Sequence, residues 1–416
     1  MSKKGEPQPA RLRSRKSTIE TIFLNTQAQK PDSRWPLFAL GFRPFFWLGA
    51  TAGALLPALW LHMLASPGST APYGNGSLWH LHEMLFGFAI AVIAGFLLTA
   101  SRNWSGTPTP RGGMLAFLAI LWLAGRLAPW LPGTTPWLSA LVDLAFIPAL
   151  AVGLVPALWH TNQSSNRFFL LLFGVMALTN GIFHAALIQG DTASAASAGK
   201  AMLYLVILTI TWISGRVVPF FTQRAVPAST PRNPPWLRRS ATVALIGLGM
   251  VDVVLPGHWL IAIIAFAAAG AHLARLSLWH HPGVWRIPIL GVLHLAYGWM
   301  IIGMILTGLS ALELFPMALT THALAMGGVG SFVIGMMVRV SLGHTGRTLV
   351  TGLSILGAFG AVQLGSIARV FGPLIAPAQS LAWVNVGGAL WLGGFVLFAI
   401  RFTPILFSRR PDGADG

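Results

Sequence analysis

The 416-residue chain contains no cysteine. This absence excludes disulfide bonds, thiolate-ligated haem, iron–sulfur clusters held by cysteine, and haem attached covalently through a C-x-x-C-H motif. Any metal bound by this chain must therefore rest on histidine, methionine or carboxylate side chains.

Charged residues are also scarce, since Asp, Glu, Lys and Arg make up 9% of the chain and only ten residues are acidic. A water-soluble protein has about a quarter of its residues charged. By contrast, 55% of the residues are hydrophobic, and apolar runs of about 20 residues, enough for a helix to cross a bilayer, recur along most of the chain. The composition excludes a soluble globular protein and predicts helical spans, because a helix satisfies its own backbone polar groups in lipid.

Apolar windows broken by proline, glycine and charge predict an all-α, polytopic membrane protein with twelve transmembrane helices. Their ranges are roughly 40–63, 79–100, 113–131, 137–159, 168–189, 200–220, 240–256, 258–275, 287–310, 317–340, 349–370 and 379–401. The predicted organisation is a basic N-terminal tail at 1–35, one transmembrane domain at 36–402 and a C-terminal tail at 403–416. The first residues lack the apolar core and small-residue cleavage site of a signal peptide.

The net charge of +17 is distributed unevenly along the chain. If the N-terminus is cytoplasmic, only three of the 27 basic residues lie toward the outside, namely Arg126, Lys200 and Arg369. This bias follows the positive-inside rule and predicts that both termini are cytoplasmic. The charge thus orients the helices, and no nucleic-acid partner is needed to explain it.

Two histidines and a glutamate stand at the start of the second predicted span, in "LWHLHEMLFGFA". His80 and His82 are two residues apart, so on a helix they point in nearly opposite directions, and only one of them can face a given site. Helical spacing places His80, Glu83, Met84 and Gly87 on one face. Either both histidines lie at the wet interface, or one binds a ligand. Glu83 lies deeper, where a carboxylate is expected to face the bundle interior and to have a partner.

Other polar residues inside the spans allow both structural and ligand-binding interpretations. His322 precedes small residues that leave room for a flat macrocycle or for a neighbouring helix. His184 follows Asn180 by four residues, so the two form either a metal ligand with a supporting amide or a polar pair that joins helices. Arg126 and Asp143 lie at similar depth on consecutive spans and are predicted to form a structural ion pair.

Five segments, "ALGFRPFFWLGA", "WHLHEMLFGFAIAVIAGFLLTASRNWSG", "SGRVVPFFT", "LHLAYGWM" and "HALAMGGVGSFVIGMMVRVSLGHTGR", together resemble the NnrS family of bacterial inner-membrane proteins. The resemblance extends over about residues 36–350 in the same order. It implies a twelve-helix protein that binds haem and copper, is found among genes responding to nitric oxide, and protects cells from nitrosative stress. Membership of this family does not by itself imply an enzyme.

A weaker resemblance is to the main subunit of haem-copper oxidases, which also has twelve spans. There a histidine of the second span and one of the tenth span hold the low-spin haem, which here corresponds to His82 and His322. The sixth and seventh predicted spans contain no histidine, whereas the oxidases build their copper site there. An oxidase-type binuclear centre is therefore not expected.

These observations lead to the hypothesis of haem b held between His82 and His322 on the outer side, with Glu83 as a hydrogen-bond partner and His80 as the first replacement ligand. Copper would be held by other histidines. Near the inner boundary, one further polar or metal site could form, or a row of positive-inside anchors. The candidates for copper or for this inner site are His184, His294, Tyr297, His344 and two arginines able to pair haem propionates, Arg216 and Arg339.

The expected partners are the lipid bilayer, nitric oxide or a related small molecule, and an electron donor, and the expected location is the bacterial inner membrane. The alternative is a transporter, or a metal- or haem-handling protein without redox catalysis. No acidic residue falls in the inner half of any predicted span. Since proton pathways through membranes commonly use such carboxylates, we expect a protein that is not a proton pump and that takes any protons from the outer side.

Overall fold

The computed structural model describes residues 35–66, 71–159 and 164–414, and helices are the only regular elements in these ranges. Twelve helices are long: α1 Phe42–Ala65, α2 Gly76–Ser105, α3 Gly112–Trp130, α4 Pro136–Trp159, α5 Ser165–Ile188, α6 Thr192–Ala225, α7 Pro235–Val254, α8 Leu260–Trp279, α9 Pro288–Ala311, α10 Met317–His344, α11 Leu353–Ile375 and α12 Pro377–Phe407. Eleven are long and apolar enough to cross a membrane. The twelfth is α7, which carries Arg238, Arg239 and Asp252. The predicted all-α membrane fold is confirmed.

The structure bears differently on the two predicted ends of the transmembrane domain. The predicted basic tail at 1–35 lies almost entirely outside the described residues, which begin at Trp35. The last helix ends at Phe407, several residues beyond the predicted end of the last span. The sequence of this extension, "RFTPILF", places a single charge before apolar residues, two of which, Ile405 and Leu406, are buried. Packing against the bundle therefore prolongs the helix.

Four helices form the interior of the bundle, and the others surround them. In α2, α6, α9 and α10, between 72% and 94% of the most apolar stretch is buried, against 33% to 44% in the other seven candidate spans. Consecutive helices pack side by side, and α12 packs against α1, which closes the ring. Most side chains in these apolar stretches therefore face protein rather than lipid.

The inner helices α2 and α10 each contain a π-helical segment. In both, the segment follows a histidine near the predicted outer end. In α2, a π-helical segment spans Glu83–Ala89, immediately after His82. In α10, a π-helical segment spans Ala323–Gly330, immediately after His322. Such segments are rare and are frequent at functional sites. The N-terminus of α2 is held by Asn75, whose side chain accepts hydrogen bonds from the backbone N–H groups of Ser77 and Leu78.

Candidate functional site

A buried polar cluster lies where four helices meet at the predicted outer end of the bundle. It contains six side chains: His82 and Glu83 from α2, Arg126 from α3, Asp143 from α4, and Asn180 and His184 from α5. None of the six is more than 6% exposed. Because there is no water in the bilayer core, these groups must satisfy one another.

Arg126 joins the two carboxylates of this polar cluster. Its Nη2 donates to Oδ1 of Asp143, and its Nε lies 3.2 Å from Oε2 of Glu83. The ion pair of Arg126 with Asp143 was expected from the sequence, whereas the partner of Glu83 was not. Glycine permits this approach, because a Cβ at Gly87 would lie 2.7 Å from Nη1 of Arg126, and one at Gly125 would lie 3.0 Å from Oδ1 of Asp143.

The two histidines of the cluster converge on one carboxylate oxygen. Oδ2 of Asp143 lies 3.3 Å from Nε2 of His82 and 2.9 Å from Nε2 of His184, and it accepts a 2.7 Å hydrogen bond from Nδ2 of Asn180. One ligand atom from each of His82, Asp143 and His184 lies within 4.8 Å of the other two. Two imidazoles and a carboxylate at this spacing could hold a metal ion.

The hydrogen-bonding neighbours of His82 are all acceptors, so the cluster has room for one more proton or cation. Nδ1 of His82 lies 3.1 Å from Oε1 of Glu83, while Nε2 faces Oδ1 of Asn180 at 3.2 Å and Asp143. All three neighbouring atoms are acceptors, and a neutral imidazole has only one N–H to donate. A second proton on His82, a proton on Glu83 or a metal ion at Nε2 of His82 resolves this conflict.

The charges of the cluster lead to the same conclusion. Two carboxylates and one guanidinium leave one negative charge without a partner among the six side chains. An isolated charge inside a bilayer is costly. One added positive charge, either a proton on an imidazole or a carboxylate or a monovalent metal ion, makes the cluster neutral.

A cavity of about 460 Å³ lies on the other side of α2. His80 and His322 both line this cavity, together with Arg369 from α11 and the sulfur-bearing side chains of Met84 and Met326. The His80 ring stacks on Trp60 with centroids 4.4 Å apart, and its buried Nδ1 has no hydrogen-bond partner. Nδ1 of His322 lies 2.7 Å from the carbonyl oxygen of Ala318, so it carries the proton and leaves the lone pair on Nε2.

The family model described as NnrS protein matches residues 36–410, nearly the whole chain. The chain belongs to the NnrS family. No match was found among curated proteins. The family resemblance noted from five sequence segments is thereby confirmed.

The structure of this NnrS-family chain does not bring together the two histidines that the sequence analysis paired. His322 shares the cavity with His80, whereas His82 lies in the polar cluster. Helical spacing also placed Glu83 and Gly87 on the face of His80, but both contact Arg126 in the polar cluster. A π-helix takes more residues per turn than an α-helix, so residues four apart align here, and those three apart do not.

The predicted inner-side residues have separate partners. Arg216 donates to Oδ1 of Asn166 at 2.5 Å, and Arg339 lies over the ring of Phe221, 3.5 Å from its centroid. His344 contacts Phe42, and Nδ1 of His294 lies 3.0 Å from the carbonyl oxygen of Leu290. No contact joins Arg216, Arg339, His294 and His344 to one another among the described residues.

Sequence reasoning missed two features of the family member. Arg369 was noted only as an outside charge, yet it lines the cavity beside His80 and His322. Tyr297 was paired with His294, but its hydroxyl accepts a hydrogen bond from Nη1 of Arg275 and lies 2.8 Å from Nδ1 of His272. A histidine and an arginine three residues apart in "HLAR" give a weak signal for the second feature.

Proposed function

We propose that this chain binds haem b and copper at two separate sites and acts in nitric-oxide metabolism and protection from nitrosative stress in the bacterial inner membrane. Membership of the NnrS family supports the cofactors and the biological role. The observation that carries the proposal is the pair of histidine-containing sites on opposite sides of α2. One is the cavity with His80 and His322, and the other is the polar cluster with His82 and His184.

The cavity has the volume of a ligand pocket, and its side chains include donors suited to haem b. Ligand pockets in proteins have volumes of roughly 300–1,000 Å³, and this cavity has about 460 Å³. Nε2 of His322 is available as a ligand, and the buried Nδ1 of His80 has no hydrogen-bond partner, which supports a bound group beside this ring. Arg369 suits a propionate, because a guanidinium binds carboxylates in a bidentate fashion. We therefore propose that His80 and His322, rather than His82 and His322, would hold the haem iron.

The polar cluster fits copper in donor type and in charge. Imidazole nitrogens are ligands for copper, and His82 and His184 supply two of them beside the carboxylate of Asp143. Glu83 accepts from the other ring nitrogen of His82, a contact that orients metal-ligating histidines. A monovalent ion makes the cluster neutral, and copper is a redox metal with a stable monovalent state. We propose His82, Asp143 and His184 as the copper ligands.

The bound groups supply coordination of nitric oxide and one-electron redox change. The residues of the chain hold the two sites apart on opposite faces of α2 and fix the orientation of the histidines. Glu83 and Asp143 lie at the predicted outer end, so protons used at the polar cluster are drawn from the outer side. Any one-electron step at these groups would need an electron donor outside this chain.

The test is a comparison of haem and copper content in single variants of the purified protein. We expect His80→Ala and His322→Ala to lose the bis-histidine haem spectrum and to keep copper. His82→Ala and His184→Ala should lose copper, measured by mass spectrometry, and keep the haem spectrum. His62→Ala, at an exposed position on α1, is the matched control and should keep both.

Each part of the proposal has an outcome that contradicts it. Loss of haem in His82→Ala with full haem in His80→Ala would restore the pairing predicted from the sequence. Iron or zinc in place of copper in the polar cluster would overturn the copper assignment. If the reduced, fully loaded protein neither binds nor consumes nitric oxide at an amperometric electrode, the metal- or haem-handling alternative replaces the nitric-oxide role.

A further inference from the structure

Tyr73 covers the polar cluster at its predicted outer end. It lies in the short turn Pro72–Gly74 that precedes α2. Its ring makes edge-to-face contacts with both candidate metal ligands, with centroids 5.7 Å from the His82 ring and 5.8 Å from the His184 ring. The rings of His82 and His184 are themselves 5.0 Å apart, so Tyr73 spans both of them.

The hydroxyl of Tyr73 is buried and has no hydrogen-bond partner. An unpaired buried hydroxyl costs about 1–3 kcal/mol, so such groups usually have a reason to be present. The other aromatic rings around His82 are Phe86 and Phe183, each with its centroid 4.9 Å from the imidazole. Of Tyr73, Phe86 and Phe183, only Tyr73 has a side chain that can donate a hydrogen bond.

The backbone of Tyr73 lies in the left-handed region, which is strained for a residue other than glycine. Its φ is +64°, and the described residues contain one other non-glycine residue with positive φ, Glu313. A bulky side chain in the left-handed region costs of order 1–3 kcal/mol and is typical of functional sites. The adjacent Gly74 also has positive φ, so the turn itself is one that glycine would adopt without strain.

We propose that Tyr73 donates a hydrogen bond to a small polar ligand, such as water or an anion, that occupies the open coordination position of the metal held by His82, Asp143 and His184. This inference rests on the proposed copper site. Three protein donors would leave room for a further ligand, as in catalytic zinc sites. A phenol remains protonated at neutral pH and is a donor. Tyr73 is then a ligand-contacting residue that selects ligands able to accept a hydrogen bond.

The test uses azide binding to the copper(II)-loaded protein, followed through the copper EPR signal. We expect Tyr73→Phe to keep full copper content and to bind azide about ten-fold more weakly, the loss expected for one hydrogen bond. The matched control is Tyr204→Phe, since Tyr204 is also buried but its hydroxyl donates to Oδ2 of Asp252 at 2.8 Å. That variant should leave azide affinity unchanged.

A second measurement keeps the hydroxyl of Tyr73 in place and changes its strength as a hydrogen-bond donor. The chain has three tyrosines, so global replacement by fluorotyrosine is a small perturbation that makes each hydroxyl a stronger donor. Azide should bind more tightly to this protein, and the increase should vanish in Tyr73→Phe.

The outcomes separate this inference from the proposed function. Wild-type protein without copper would refute the copper site and with it the role of Tyr73. Copper-loaded Tyr73→Phe with the azide affinity of the wild type, or fluorotyrosine protein without a change, would refute the hydrogen bond alone. Loss of copper from a folded Tyr73→Phe variant would also refute it, because Tyr73 would then hold the metal itself.

Discussion

Arg126 is the side chain on which the electrostatics of the polar cluster depend. It pairs with both Glu83 and Asp143, and all three side chains are at most 6% exposed. Buried ion pairs contribute little net stability compared with apolar packing, but removing one partner leaves an uncompensated charge. The consequence of a substitution here therefore depends mainly on the charge that remains in the cluster.

Removal of the Arg126 charge should strongly destabilise the protein. Arg126→Gln leaves the two buried carboxylates without their guanidinium partner, and we expect a loss of about 3–5 kcal/mol in the free energy of unfolding. The double variant Arg126→Gln with Glu83→Gln has the same net charge as the wild-type cluster and should recover part of this loss. Thermal unfolding in detergent, followed by circular dichroism, measures both. Equal melting temperatures for the single and double variants would contradict this account.

Close packing of α10 depends on glycines in and next to its π-helical segment. A Cβ at Gly330 would lie 2.2 Å from Cζ3 of Trp391, and one at Gly327 would lie 2.4 Å from Cδ2 of Trp299. Trp391 cannot move freely, because its Nε1 donates a 2.8 Å hydrogen bond to the carbonyl oxygen of Gly53. The same indole lines the cavity. The contact between α10 and α12 at Trp391 therefore also sets the shape of the proposed haem site.

Gly330→Ala should lower both stability and haem content. Overpacking of a core costs typically about 1–3 kcal/mol, and displacement of Trp391 would alter the wall of the cavity. Gly343→Ala in the same helix is the matched control, because a Cβ there meets nothing within 4 Å. That variant should be as stable as the wild type or slightly more stable, since alanine favours the helix. Melting temperature and haem absorbance per chain measure the two effects, and identical results for both variants would refute the steric argument.

The whole bundle places four largely buried helices inside a ring of more exposed ones, and both candidate sites lie against the inner helix α2. A cofactor on either side of α2 would thus lie against the interior of the bundle. The direction of the bundle across the membrane follows from the distribution of lysine and arginine, which predicts cytoplasmic termini. This orientation also places Glu83 and Asp143 toward the outside.

The absence of cysteine makes the orientation directly testable, because a single introduced thiol has no background. Ala193 lies at the exposed start of α6, and Ser240 lies at an exposed position near the start of α7. We expect Ala193→Cys to react with a membrane-impermeant maleimide on intact cells. Ser240→Cys should react only after the membrane is permeabilised. The reverse pattern would invert the topology and place both candidate sites on the cytoplasmic side.

The sequence by itself determined the number and the approximate limits of the helices. Span length and apolar composition are local properties, because lipid forces each span to satisfy its own backbone. The same reasoning anticipated the ion pair of Arg126 with Asp143, since the two residues lie at similar depth on consecutive spans joined by a short turn. The resemblance to the NnrS family likewise depended only on the order of residues.

Only the tertiary structure decided which histidines share a site. His82, Asp143 and His184 come from three different helices, and their convergence depends on how α2, α4 and α5 pack, which residue spacing does not encode. Spacing in an α-helix did not predict that His80 faces the cavity, because the helix changes from α-helical to π-helical geometry after His82. A π-helical segment arises from packing against neighbouring helices, so a fixed period of 3.6 residues cannot reveal which face each residue takes.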